Sequence, residues 1–246
     1  MAGTLAFLGS TEINATGLFL GQDGIEFNPF TQISGSIPTG SVQMYFDSED
    51  WNGSSSTLLG RYANATASLS GVTVGVNGSL NFTTSSNLIT TANGITPVQA
   101  TTSTVFAIYA SSGSATDPHG RLLISAGTNW LFGTYGGKFP PTNTETQYSW
   151  YNNQFVINSG SYDTNWHMMI GIRHNASSAS VYIDNVYKTG SLQPSVGFNG
   201  LNVNSPISVP DETTQANIGV FGVYDRELTP AEITELYNNY KIKYGL

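Results

Sequence analysis

The stretch Ile218-Gly-Val-Phe-Gly-Val-Tyr-Asp-Arg-Glu-Leu-Thr-Pro-Ala-Glu-Ile-Thr-Glu-Leu-Tyr-Asn-Asn-Tyr-Lys-Ile-Lys-Tyr-Gly-Leu246 decides the fold. It reads as a strand up to Tyr224, a charged turn, and one short helix. Thr229 is suited to the N-cap, Pro230 to the first helical position, and Glu232 to the return bond of a capping box. Leu228 and Ile233 have the spacing of a hydrophobic staple. Ile233, Leu236, Tyr237 and Tyr240 then recur at helical period, a stripe expected to pack on the body near its start. Upstream, nearly everything reads as strand and turn.

Outward from this stretch, strands are expected around residues 42–46, 66–69, 72–76, 79–82, 104–109, 121–125 and 129–132. Others are expected at 148–152, 154–157, 166–173, 180–183, 186–188 and 218–224. Short strands at this cadence, separated by Gly, Asn and Ser, predict a sandwich or jelly roll. Three longer connections, 110–120, 136–147 and 191–214, are loops expected to carry contacts.

Composition narrows the class. A chain of 246 residues suits one large β domain and can bury roughly 70–75% of its unfolded surface. There are no cysteines, so disulfide scaffolds and zinc ribbons are excluded. Charged residues make up 10% of the chain and the net charge is −8, with only 8 Lys and Arg. Such a surface offers hydrogen bonds rather than a phosphate-tracking stripe, which excludes nucleic acid as a partner. No apolar run approaches the length of a membrane span, and no signal peptide is read at the N-terminus. Synthesis in a host cytoplasm followed by assembly into a virion reconciles that N-terminus with the polar texture.

Residues 1–40 stand apart as an attachment arm and linker, with the main domain over 41–246. Ala6-Phe-Leu-Gly-Ser-Thr-Glu-Ile13 and Leu18-Phe-Leu-Gly-Gln-Asp-Gly-Ile25 repeat at a spacing of twelve. Each unit reads as a short strand, a glycine turn and a return strand. Two such units cannot bury their own faces. They either add a layer to their own domain or dock on another subunit, with Phe7, Leu8, Ile13, Phe19, Leu20 and Ile25 as the docking residues.

Asp163-Thr-Asn-Trp-His-Met-Met-Ile-Gly-Ile-Arg173, followed by Ser180-Val-Tyr-Ile-Asp-Asn-Val-Tyr-Lys-Thr-Gly190, resembles the core of concanavalin A-like (laminin G-like) jelly rolls. In that family a Trp-His pair opens a central strand, and the hairpin after it carries a Tyr-x-Asp-Gly-type turn. Asn185 replaces the glycine and remains compatible with the positive φ of a type I′ turn. The closing strand and helix are similar too, so the resemblance covers about residues 41–246. It implies an all-β, concanavalin A-like jelly-roll sandwich with one short C-terminal helix and an N-terminal β-hairpin-type segment. The Phe-Leu-Gly repeats resemble leaders of tailed-bacteriophage virion proteins. Together these imply a non-enzymatic virion structural protein, a capsid decoration or tail component multimeric on the particle, displaying a lectin-like domain toward host-surface glycan. A free bacterial carbohydrate-binding module or adhesin is the alternative, and glycoside hydrolysis the least favoured reading.

Laminarinase-like members carry Glu-x-Asp-x-x-Glu, and that motif is absent from the sequence. Asp47 and Glu49 share a face only if the strand at 42–46 continues through them, as a glycosidase pair requires. His167 is expected to order the start of its strand, His174 to sit solvated at a strand end, and Asp225, Arg226 and Glu227 to shape the turn before the helix. Ligand contact is expected at Tyr135, Asn152 and Asn153, where aromatic faces and amides suit sugars. No catalytic residue and no cofactor is expected. The resemblance implies at most a structural calcium ion, for which Asp117 or Asp163 would serve with backbone carbonyls; both also read as turn caps.

Overall fold

The structure is a computed structural model that describes residues 20–21, 24–25, 37–62, 65–92, 102–112, 122–124, 131–134, 145–151, 155–161, 164–175, 178–188, 200–204 and 213–246. The chain forms two units, Met1–Ser34 and Gly35–Leu246. In the first, β1 (Leu20–Gly21) and β2 (Gly24–Ile25) pair antiparallel, Leu20 with Ile25 and Gly21 with Gly24. The second Phe-Leu-Gly repeat is thus a hairpin, as its glycines imply. Phe7, Leu8, Ile13 and Phe19 lie outside the described residues.

The second unit contains β3 (Val42–Asp47), β4 (Thr57–Leu59), β5 (Ala65–Ser70), β6 (Thr73–Val74), β7 (Leu80–Phe82) and β8 (Asn87–Ala92). After these come β9 (Ser103–Ser111), β10 (Leu123–Ile124), β11 (Leu131–Thr134), β12 (Glu145–Tyr151) and β13 (Phe155–Ser161). The last are β14 (Trp166–Asn175), β15 (Ser178–Ile183), β16 (Val186–Lys188), β17 (Asn202–Val203), β18 (Ala216–Tyr224) and the helix α1 (Pro230–Tyr244). One eight-stranded sheet runs β13-β12-β11-β10-β17-β8-β5-β4. The other runs β16-β15-β14-β9-β18-β7-β6, with β3 beside the second half of β18. Every strand pairing among the described residues is antiparallel, so the fold is an all-β sandwich with one C-terminal helix.

The second sheet is covered on both faces, which is why β9, β14 and β18 are nearly continuous apolar runs. Alternate residues divide between two buried layers. Met44, Phe46, Val105, Ala107, Met169, Phe221 and Val223 face the first sheet, meeting Leu58, Ala67, Leu88, Phe132 and Val203. Tyr45, Phe106, Ile108, Met168, Ile170, Val220 and Tyr224 face the other way and are covered by Leu228, Ile233, Leu236, Tyr240 and Tyr244. Burying a large apolar side chain contributes about 1.5–3 kcal/mol, so the helix supplies a substantial part of the core. The register of β18 slips between Ile218 and Val220. Gly219 sits in that slip, and a Cβ there would lie 2.4 Å from the Tyr244 ring. A bulge without a side chain is what lets the end of α1 close on the sheet.

The start of α1 forms as its sequence dictates. The Thr229 side chain accepts from the Glu232 N–H, and the Glu232 carboxylate accepts from the Thr229 N–H at 2.9 Å. Among the described residues Arg226 forms no ion pair with the carboxylates of Asp225 and Glu227, its Nη1 donating instead to the Glu227 carbonyl at 3.0 Å, and its guanidinium forks onto Glu232, at 2.8 and 2.6 Å. This hydrogen-bonded ion pair, before the other influences on it, draws the Glu232 carboxyl down to about 2. Helix, turn and cap are therefore locked by one carboxylate.

Candidate functional site

Among the described residues, two places bring polar and aromatic side chains together: a buried ionic cluster under α1 and an exposed tyrosine face beside it. The cluster contains Asp47 and Glu49, the carboxylates weighed for glycoside hydrolysis, the least favoured reading of the sequence. Strand β3 ends at Asp47, and a short 3-10 turn over Ser48–Asp50 follows, so Asp47 and Glu49 do not share a strand face. Asp47 caps that turn, its Oδ1 accepting from the Glu49 N–H at 3.0 Å. Its Oδ2 lies 2.8 Å from Arg61 Nη1 and accepts from the Tyr240 hydroxyl at 3.1 Å, while Tyr45 and Tyr240 join hydroxyl to hydroxyl. Burial raises the Asp47 carboxyl above its ordinary range, and the Arg61 charge opposes that rise. Arg61 also forks onto Asp50 at 2.9 and 3.0 Å, and Lys243 Nζ sits 2.9 Å from Glu49. With Asp47 at 0% exposure, no substrate reaches this carboxylate. The cluster ties β3 and residue 61 to the helix.

The tyrosine face is built on the hairpin β15–β16. Asp184 and Asn185 have φ of 50° and 64°, and Ile183 pairs with Val186, so the turn is type I′ with asparagine in place of glycine. The Asp184 carboxylate closes over the start of β14. One oxygen accepts from the Met168 N–H at 2.8 Å and the other meets His167 Nδ1 at 2.7 Å. His167 therefore orders the start of its strand, as expected, with Asp184 as its partner. The turn is also tied to the helix, Thr234 Oγ1 donating to Asn185 Oδ1 at 3.2 Å.

Register places Tyr182 opposite Tyr187, on the side of the sheet that faces α1. Their rings meet edge to face, with centroids 5.4 Å apart. Tyr187 is 54% exposed on the edge strand, and Tyr182 is half-buried. Tyr237, from the helix, stands near Asp184: burial and then the Asp184 charge raise its phenol above the ordinary value. Three tyrosines from three elements thus lie on this side of the sheet, with Tyr237 beside the clamped Asp184 carboxylate. Edge-to-face packing holds one ring to present the next, and the turn is fixed by four hydrogen bonds before any ligand arrives. Chemically, the face offers apolar ring surface for C–H groups and polar groups that accept and donate at its rim.

Sequence reasoning located ligand contact elsewhere. Tyr135, Asn152 and Asn153 lie outside the described residues, as do Asp117 and Asp163. Tyr182 and Tyr187 were legible only as members of a hairpin; their proximity follows from its two-residue turn. His174 corrects a second expectation. It is half-buried, its Nδ1 2.8 Å from Glu227 and its Nε2 bonded to the Ser180 hydroxyl, so it fastens the turn before α1 to the sheet. Among the described residues, no three His, Asp or Glu side chains converge as a metal site. No helix among them is long and apolar enough to cross a membrane.

No family model and no curated protein sequence matches the chain. Solved structures do. A Trypanosoma rangeli sialidase in complex with sialic acid superposes with a TM-score of 0.61 at 15% identity, over 85% of this chain and 34% of the sialidase. The receptor binding domain of botulinum neurotoxin C/D mosaic serotype gives 0.62 at 14% identity, over 84% of this chain and 55% of that one. The chain thus spans about a third of the sialidase and about half of the neurotoxin domain. At these identities the likeness is one of fold. It overturns the expectation of a non-enzyme, because the same sandwich occurs within a sialidase. The missing Glu-x-Asp-x-x-Glu motif excludes one active-site arrangement and leaves others open.

Proposed function

We propose that this chain is a carbohydrate-binding β-sandwich, concanavalin A-like as its sequence resemblance implies, with its glycan site on the Tyr182–Tyr187–Tyr237 face. The observation that carries the reading is Tyr187, half exposed on an edge strand yet held edge to face by Tyr182 beside the anchored Asp184. Flat aromatic surface stacks on the C–H face of a pyranose, and adjacent hydroxyl and carboxylate groups bond its hydroxyls. The weakly charged, hydroxyl-rich composition supports the same partner, as does a fold shared with a sialidase solved with sialic acid. Glycan-array screening followed by calorimetry on the best hit is the test. Tyr187→Ala should weaken binding at least tenfold with unfolding unchanged. Equal affinity in the variant would remove the site, and an array with no hit would remove the reading. The same hits, incubated and analysed for released sugar, show whether binding leads to turnover.

A second reading concerns setting. Residues Met1–Ser34 form a unit of their own containing a hairpin, which favours an attachment segment, with Phe7, Leu8, Ile13, Phe19, Leu20 and Ile25 as its docking side chains. In a virion the sandwich would then be displayed in many copies, and weak glycan binding would gain avidity. Deleting 1–34 should abolish incorporation into particles while leaving the unfolding of the sandwich unchanged. Normal incorporation of the truncated chain would refute the attachment role.

A further inference from the structure

Three arginines lie in the described residues of the sandwich, and two are committed. Arg61 forks onto Asp50 and meets Asp47; Arg226 forks onto Glu232. Arg173 differs. It is the most buried of the three at 8% exposure, yet among the described residues its guanidinium makes one hydrogen bond, from Nε to the Asn175 carbonyl at 3.2 Å. No carboxylate of the described residues pairs with it. Burial alone acts on it, lowering its pKa, where the other two are raised by their carboxylates. A buried guanidinium without a counter-charge is costly to the fold and is retained where something else supplies the charge.

Strand register shows what surrounds it. Arg173 shares a face of the second sheet with Gly171 and Met169, the face turned toward the first sheet. Ser103 stands directly opposite it on β9 and Ala179 on β15. Lys188 is on the same face from β16, opposite Val181, two strands across and two residues along, about 12 Å away. Among the described residues Lys188 has no ion pair either. Two cations without a carboxylate partner among the described residues therefore occupy one corner of the sandwich in a chain of net charge −8. The bond to Asn175, the last residue of β14, draws the guanidinium to the strand end, away from the apolar layer.

We infer that Arg173, with Lys188 beside it, forms a binding site for a carboxylate-bearing saccharide. A guanidinium with both terminal nitrogens available matches a carboxylate bidentately, and Lys188 adds a point charge for a second acidic group. The carboxylate requirement rests on Arg173; that a saccharide carries it rests on the proposed function. The site lies on the opposite face of the sheet from the tyrosines, so the two are separable.

The probe is a galacturonic acid trimer, with its methyl ester and inorganic sulfate as controls, measured by calorimetry on the full chain at low and moderate salt. The acid should bind at least tenfold more tightly than the ester and weaken as salt rises. Arg173→Gln should reduce the acid to the level of the ester, Arg173→Lys should recover part of the difference, and Lys188→Gln should cost several-fold. Glycan binding that depends on Tyr187 should persist in Arg173→Gln. Should Arg173→Gln fail to fold, the ester comparison and Lys188→Gln decide. Equal binding of acid and ester, or of wild type and Arg173→Gln, would overturn the inference. Displacement of the trimer by sulfate at equal concentration would overturn the assignment to a carboxylate. A loss of Tyr187-dependent binding with the acid preference intact would instead strike the proposed function alone.

Discussion

Arg61 and Arg173 are both drawn into the same sandwich, and they are held in opposite ways. Arg61 reaches a fully buried carboxylate, forks onto a second and approaches a third, Glu49 at 3.8 Å. Arg173 is more deeply buried and bonds one backbone carbonyl. A buried charge with its partners in place is structure. One without them is a cost that a ligand can relieve, and the difference separates scaffold from site.

The sharpest way to break this comparison is to remove each charge and measure stability in urea. Arg61→Ala strands Asp47 at 0% exposure and should cost about 3–5 kcal/mol. That penalty should shrink as the pH falls, because the raised Asp47 carboxyl takes up a proton and no longer needs a counter-charge. Arg173→Met, by contrast, removes an uncompensated charge and should be neutral or stabilising, within about 1 kcal/mol. Comparable losses from both would show that Arg173 is structural as well.

Smaller effects test the helix that covers the ionic cluster. Gly219→Ala places a methyl group against the Tyr244 ring and should cost about 1–3 kcal/mol, seen as a lower midpoint of unfolding. Thr229→Ala removes the N-cap and should cost about 1 kcal/mol. Glu232 gives the weakest and most pH-specific signal. Its folded pKa is depressed to about 2, so its contribution is fully present above the unfolded value of 4.5 and is lost as pH falls toward 2. Partial exposure limits that contribution to about 1 kcal/mol. Glu232→Gln should flatten stability against pH in this window and leave the slope above pH 6 unchanged.

How much of this was legible in the sequence depended on whether the determining contacts were local. The capping box and the type I′ turn are encoded within a few residues each and both form, and Leu228 and Ile233, at staple spacing, are buried in one cluster. Strand β8 was missed because its alternation is inverted: Ile89 is 39% exposed, and Thr90 points inward to accept from the Leu201 N–H. Strand β17 hid inside an apparent loop, where buried Asn202 bonds the Thr90 N–H. Whether Asp47 and Glu49 share a strand face stayed open in the sequence because nothing nearby announced the 3-10 turn; Tyr240, whose hydroxyl bonds buried Asp47, is 193 residues away. The tyrosine face joins β15, β16 and α1, and the lack of a carboxylate beside Arg173 among the described residues is a property of the assembled sheet. Neither has a local sequence signature.

The central claim, a glycan site on the tyrosine face, is tested most directly by NMR on protein with isotope-labelled tyrosine rings, titrated with the best glycan from the array. The account predicts that ring signals of Tyr187, Tyr182 and Tyr237 shift together and saturably, while those of buried Tyr45 and Tyr240 stay fixed. Saturable shifts confined to other tyrosines would contradict it.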